Sequence, residues 1–106
     1  MLTFTTTGPQ SCGIVETNKD GILMSFHEKV LEPPGNIANG AVFLFEEELI
    51  TKILGDCNSA LDFSRDVIPL LAGSCQTWHT KMSYIDIGTP ESLKQAQAEW
   101  RDSKHD

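Results

Sequence analysis

The stretch FHEKVLEPPGNIANGAVFLF, residues 26–45, decides how this chain is read. It completes an alternation of Ile22, Met24 and Phe26 against Leu23, Ser25 and His27, which predicts a strand. Glu28 and Lys29 fall at the strand's exit. Pro33, Pro34 and Gly35 cannot continue a ladder of backbone hydrogen bonds, so they predict a loop. Asn39 and Gly40 then lead into Ala41, Val42, Phe43, Leu44 and Phe45, an apolar run with the character of a fully buried strand. Strand, polar loop, strand sets a charged pair and a bare amide between two buried segments. Rigid elements flanking a polar loop are how many binding sites are built.

Working outward toward the N-terminus, Asn18, Lys19, Asp20 and Gly21 predict a turn, with residues 12–15 as the partner strand of a hairpin. Before it, Leu2, Phe4 and Thr6 alternate with Thr3, Thr5 and Thr7, a β-branched segment that predicts another strand, broken by Gly8 and Pro9. Toward the C-terminus, Glu46, Glu47 and Glu48 suit the positive end of a helix dipole. Leu49, Ile50, Ile53 and Leu54 share one face of that helix, and Gly55 stands where a cap would. Residues 56–60 are expected as a loop. Asp62 is placed to cap a short helix from Phe63 that Pro69 limits to a turn or two. Short strands are expected at 76–79 and 83–87. Thr89 as N-cap, Pro90 at the first helical position and Glu91 in the first turn then open a helix with Leu93, Ala96 and Trp100 on its apolar face. Residues 101–106 read as a polar, frayed tail.

At 106 residues, with 22% charged and 40% hydrophobic side chains, the chain is expected to be a single globular domain, residues 1–106. The net charge of −7 argues against a nucleic-acid partner, which would require a basic stripe. No apolar run approaches the roughly 20 residues that span a bilayer, and no basic-then-apolar leader opens the chain, so no membrane partner and a cytoplasmic location are expected. Cys12, Cys57 and Cys75 are odd in number and widely spaced, which predicts reduced thiols. Cys75 and His79 fall four apart on one strand, but two ligands do not make a zinc site.

A strand ending in Phe, any residue, Glu and Lys, followed by a Pro-rich loop and an Asn before an apolar strand, resembles the sugar-phosphate side of the sugar nucleotidyltransferases, the nucleotide-sugar pyrophosphorylases. DFSRDVIPLLAG (62–73) and YIDIGTPESL (84–93) resemble the same family in the same order. The wording around Asn39, Trp78 and Asp86 looks most like the heptose or hexose 1-phosphate guanylyltransferases. The resemblance implies an α/β fold, namely the C-terminal half of a Rossmann-like nucleotidyltransferase with a mixed sheet and packing helices.

It also implies roles. Glu28 would touch sugar hydroxyls and Lys29 the sugar phosphate, which a compact ammonium holds as a point charge. Their plain alternative is a solvated pair at a strand end. Val30 stands where the family commonly has Pro. Asn39 would contact the sugar, its amide offering both donors and an acceptor. The alternative is an ordinary turn Asn before Gly, and the family's usual order is Asn, Ala, Gly rather than Asn39, Gly40, Ala41. Glu16, in the segment Gly13, Ile14, Val15, Glu16, matches an acidic substrate-binding position, or is an exposed strand carboxylate. Asp86, at the end of an expected strand, would bind Mg²⁺ as a hard oxygen ligand shared with substrate phosphates. Its alternative is a carboxylate that bonds the backbone of Gly88 and Thr89.

The implied reaction forms a nucleotide sugar from a nucleoside triphosphate and a sugar 1-phosphate and releases pyrophosphate. The sugar phosphate is already anionic, so no protein nucleophile is needed, and Lys29 and Asp86 would contribute charge and positioning. The eight glycines form no phosphate-cradling loop. The family carries that loop and a second metal carboxylate in a preceding half, so a complementing N-terminal half is an expected partner, and Mg²⁺ is expected only with that half. Such a cut sheet is expected to expose an edge at Leu2, Phe4 and Thr6 and to self-associate as a homo-oligomer. The alternative function is a noncatalytic α/β module that binds a sugar or a protein.

Overall fold

The computed structural model describes residues 1–56 and 62–103. Its centre is a five-stranded mixed sheet built from β1 (Leu2–Thr5), β2 (Gly13–Thr17), β3 (Leu23–Glu28), β4 (Ile37–Asn39) and β5 (Trp78–His79), in the order β3-β2-β4-β1-β5. Antiparallel pairing joins β3 to β2, β2 to β4 and β4 to β1, while β5 runs parallel to β1. The helices α1 (Glu47–Asp56) and α2 (Pro90–Ser103) complete the α/β architecture, with single-turn segments at Pro9–Ser11, Phe63–Val67 and Ile68–Leu71. No helix among the described residues is long and apolar enough to cross a membrane.

Both sheet faces are covered, because successive strand residues point to opposite sides. On one face Val15 and Leu23 are buried with Met1, Val67, Ile68 and Leu71. On the other, Ile14 is buried with Phe4 and Ala38, and Cys12 and Tyr84 pack against them. Asp62 caps the Phe63 turn: its Oδ1 accepts from the Arg65 amide at 3.1 Å, and its own amide donates to Asp66 Oδ2 at 2.9 Å. Thr89 caps α2, its Oγ1 accepting from the Ser92 amide at 3.1 Å. Both caps match the local sequence signals.

Five expectations change. The strand expected at 41–45 lies earlier, at Ile37–Asn39, because Ala41 adopts φ 59° and turns the chain out of the ladder. Leu44 is consequently 97% exposed, whereas Phe43 and Phe45 fold back onto Phe63, with ring centroids 4.8 and 5.9 Å from it. In β3 the even alternation fails. Glu16 pairs with Ser25 but Thr17 pairs with Leu23, so Met24 is the extra residue of a bulge that puts Leu23 on the same face as Val15 and Phe26. Residues 83–87 form no strand and pair with none of the sheet strands. β1 is not an edge, since β5 covers it on one side and β4 on the other; the edges are β3 and the two-residue β5. Residues 101–103 belong to α2 rather than to a frayed tail. The side chain of Leu54, most of the loop expected at 56–60, and residues 104–106 lie outside what is described.

Candidate functional site

Register brings two of the expected site residues, Glu28 and Asn39, into one row across the sheet. Glu28 pairs with Gly13, and Asn39 pairs with Thr3. The pairing of Ile14 with Ala38 sets Gly13 and Asn39 side by side in the same register. Glu28, Gly13, Asn39, Thr3 and His79 therefore form one row across five strands, and in-register partners point to one face. Gly13 is the gap in that row. A Cβ there would run into the Phe26 ring and stand 2.7 Å from Glu28 Oε2, so the ring and the carboxylate together cover the Gly13 backbone. At the row's far end, His79 Nδ1 lies 3.1 Å from Thr3 Oγ1 and Nε2 lies 3.2 Å from Thr5 Oγ1. That leaves His79 employed in tying β5 to β1.

Lys29 follows Glu28 with φ 50°, a left-handed backbone that costs an L-residue on the order of 1–2 kcal/mol. The strain is held by its amide, which donates to the Cys12 carbonyl at 3.1 Å. It turns the chain out of β3 at Lys29, whose side chain is exposed.

Asn39 Oδ1 accepts from the Ala41 amide at 2.8 Å, a tight side-chain turn. With that oxygen engaged, the side-chain amide still carries its two donor hydrogens. Ala41, at φ 59°, occupies the position where the family order puts Gly. The exchange of Gly and Ala in the sequence thus places a side chain at a left-handed residue.

Asp86 lies in the irregular stretch before α2, where its Oδ1 accepts from the Gly88 amide at 2.9 Å. It helps line a cleft of about 790 Å³ together with Thr6, Cys12, Lys81, Tyr84 and Ser92, beside the Phe4 cluster and without Glu28, Lys29 or Asn39 in its lining. Among the described residues, no three His, Cys, Asp or Glu side chains are grouped to hold a metal ion. A single exposed carboxylate does fit the way Mg²⁺ is usually held, by one or two carboxylates with substrate phosphates completing the shell. It does not fit a cage made by protein alone.

Glu16 is not brought to this site. It lies three residues along β2 from Gly13 and on the opposite face, where its Oε1 accepts from Ser25 Oγ at 2.8 Å and lies 2.8 Å from His27 Nε2. The Ser25 hydrogen bond, then that of His27, holds its carboxyl below the usual range.

Tyr84 is a residue that strand propensity alone did not single out for the site. Its hydroxyl donates to the Gly40 carbonyl, and its ring stacks on Phe4 at 4.2 Å. Burial, then the charges of Asp86 and Cys12, pushes its hydroxyl pKa up, which keeps it a donor.

Residues 2–103 match the Nucleotidyl transferase family. The chain belongs to this family. Similar proteins include the glucose-1-phosphate adenylyltransferase of Thermotoga maritima, 34% identical over 95 residues that cover 82% of this chain and 22% of that protein. The Bacillus subtilis glucose-1-phosphate adenylyltransferase is 34% identical over 91 residues, 79% of this chain and 24% of that protein. That of Desulforamulus reducens is 35% identical over 91 residues, 79% of this chain and 23% of its own length. The chain thus spans about a quarter of the length of these nucleotidyltransferase relatives.

Proposed function

We propose that this chain supplies the sugar 1-phosphate side of a nucleotidyl transfer. In that reaction an oxygen of the sugar phosphate forms a bond to the α-phosphorus of a nucleoside triphosphate, the bond from that phosphorus to the β-phosphate oxygen breaks, and pyrophosphate leaves. The supporting observation is the shared row, which sets Glu28 and Asn39 on one face of the sheet, with Lys29 following Glu28 where the chain leaves β3.

In this reading Glu28 accepts from sugar hydroxyls, and the Asn39 amide donates to a sugar oxygen. The Lys29 ammonium neutralises the phosphate and holds it in line, so that positioning and charge supply the rate. Asp86 would hold Mg²⁺ jointly with phosphate oxygens. Bound there, the ion would supply Lewis-acid charge to the phosphates. The triphosphate itself is assigned to a Gly-rich, basic half of the kind the resemblance implies, since no such loop occurs in this sequence.

The wording around Asn39, Trp78 and Asp86 pointed to guanylyl transfer, whereas the relatives' names say adenylyl. The proposal therefore stops at nucleotidyl transfer, with the base to be decided by assay. A noncatalytic binding module remains the second reading. It is favoured by an apolar groove of about 750 Å³ lined by Leu2, Val42, Leu44, Phe45, Leu49 and Trp78.

Calorimetric titration with glucose 1-phosphate tests the proposal. Binding that weakens in Lys29→Met and in Glu28→Gln is the expected result. An isotherm that neither substitution alters removes the sugar-phosphate assignment and leaves the binding-module reading. Pyrophosphate release with ATP or GTP, in the presence of a complementing nucleotide-binding half, then identifies the base.

A further inference from the structure

The residues of the proposed site come from separate parts of the chain, and one peptide group joins two of them. The peptide between Gly40 and Ala41 has its carbonyl oxygen bonded by the Tyr84 hydroxyl and its N–H bonded to Asn39 Oδ1. The next peptide back is held as well, because the Gly40 amide donates to the Leu2 carbonyl at 2.8 Å. Ala41 is left-handed, a conformation from which a non-glycine residue gains by relaxing. Relaxation would rotate this peptide and turn its N–H away from the Asn39 side chain. The Tyr84 hydroxyl opposes that rotation from the carbonyl side.

Tyr84 is itself fixed by its stack on Phe4 in the interior strand β1, and it stands two residues before Asp86. The hydrogen bond from Tyr84 to Gly40, which ties the stretch 83–87 to the end of β4, is therefore the same one that holds the Asn39 turn.

We propose that Tyr84 is a positioning residue: through the Gly40–Ala41 peptide it sets the direction of the Asn39 amide and couples that amide to the segment carrying Asp86. This rests on the sugar-phosphate reading above, with Asn39 as the group that meets the sugar.

The test is a double-variant cycle on the intact chain with glucose 1-phosphate as the probe, read by calorimetry and by the side-chain amide signals of Asn39 in nuclear magnetic resonance. Tyr84→Phe keeps the ring on Phe4 and removes only the hydroxyl. It is expected to weaken binding about fivefold, the scale of one neutral hydrogen bond. Asn39→Ala is expected to cost clearly less in the Tyr84→Phe background than in the parent, because residues acting through one network are not additive. In an Ala41→Gly background, which removes the drive to rotate, the Tyr84→Phe effect on binding is expected to shrink, whereas a purely structural loss would persist.

If Tyr84→Phe lowers the unfolding temperature but binds glucose 1-phosphate as the parent does, while Asn39→Ala weakens binding, Tyr84 is structural only and the proposal is overturned with the site reading intact. If Asn39→Ala also leaves binding unchanged, or the parent chain does not bind the probe, the site reading fails and the proposal falls with it.

Discussion

Gly40 donates its amide hydrogen to the carbonyl oxygen of Leu2 at 2.8 Å, and a Cβ on Gly40 would stand 3.2 Å from that same oxygen. Glycine at 40 lets β1 approach this closely. The neighbouring alanine pays for the arrangement, because Ala41 takes the left-handed backbone. Ala41→Gly is therefore expected to stabilise the chain by about 1 kcal/mol, while Gly40→Ala destabilises it by a similar amount. Urea midpoints at constant denaturant slope measure both.

Gly13→Ala should act on the site as well as on the fold. The new methyl group would meet the Phe26 ring and the Glu28 carboxylate, and the ring packs against the buried cluster of Val15 and Leu23. A loss of about 1–3 kcal/mol is expected from overpacking. Displacement of Glu28 should also weaken glucose 1-phosphate binding more than the stability change alone accounts for, which calorimetry well below the unfolding temperature will reveal.

Tyr84 is the single tyrosine, so ultraviolet absorbance titration reads this one hydroxyl. Its folded pKa is raised above the ordinary 10.0, first by burial and then by Asp86 and Cys12. The titration midpoint should lie above that value in the native chain and return to it in denaturant. Because the folded value is the higher one, the associated stability is fully present below pH 10.0 and is lost as pH rises through the folded pKa.

At the acid end the relevant group is Glu16. Its carboxyl is held below 4.5 by the hydrogen bonds of Ser25 and then of His27. A depressed folded value means stability that is present above the unfolded pKa and lost as pH falls through the folded one. Ser25→Ala should thus lower stability slightly at neutral pH. The difference from the parent should vanish below the acid limb, as thermal unfolding followed across pH will show.

Lys29 and Asp86 are expected to differ in kind. Lys29→Met should weaken sugar 1-phosphate binding in the chain as it stands. Asp86→Asn should leave that binding nearly intact, and with a complementing half it should lower the maximal rate and raise the Mg²⁺ requirement. If Asp86→Asn lowers only the melting temperature, the hydrogen bond from Gly88 is the whole of its role.

What the sequence determined by itself is what near neighbours decide. Asp62 and Thr89 cap their turns because a side-chain oxygen needs only an amide two or three residues on, and Asn18 and Gly21 close the hairpin for the same local reason. The motif around Glu28 and Lys29 was legible too, and with it the family. The tertiary structure decided everything that depends on distant partners. Whether the strand lay at 37–39 or at 41–45 turned on the backbone of Ala41, which Leu2, Asn39 and Tyr84 hold together. The bulge at Met24 moved Leu23 to the other face, and the parallel pairing of β5 with β1 enclosed a strand expected to be an edge. Glu16 fell on the face opposite Glu28 because one strand points successive side chains to opposite sides. The bulge and the left-handed residues are held by contacts with distant parts of the chain, which the pattern of a single segment does not contain.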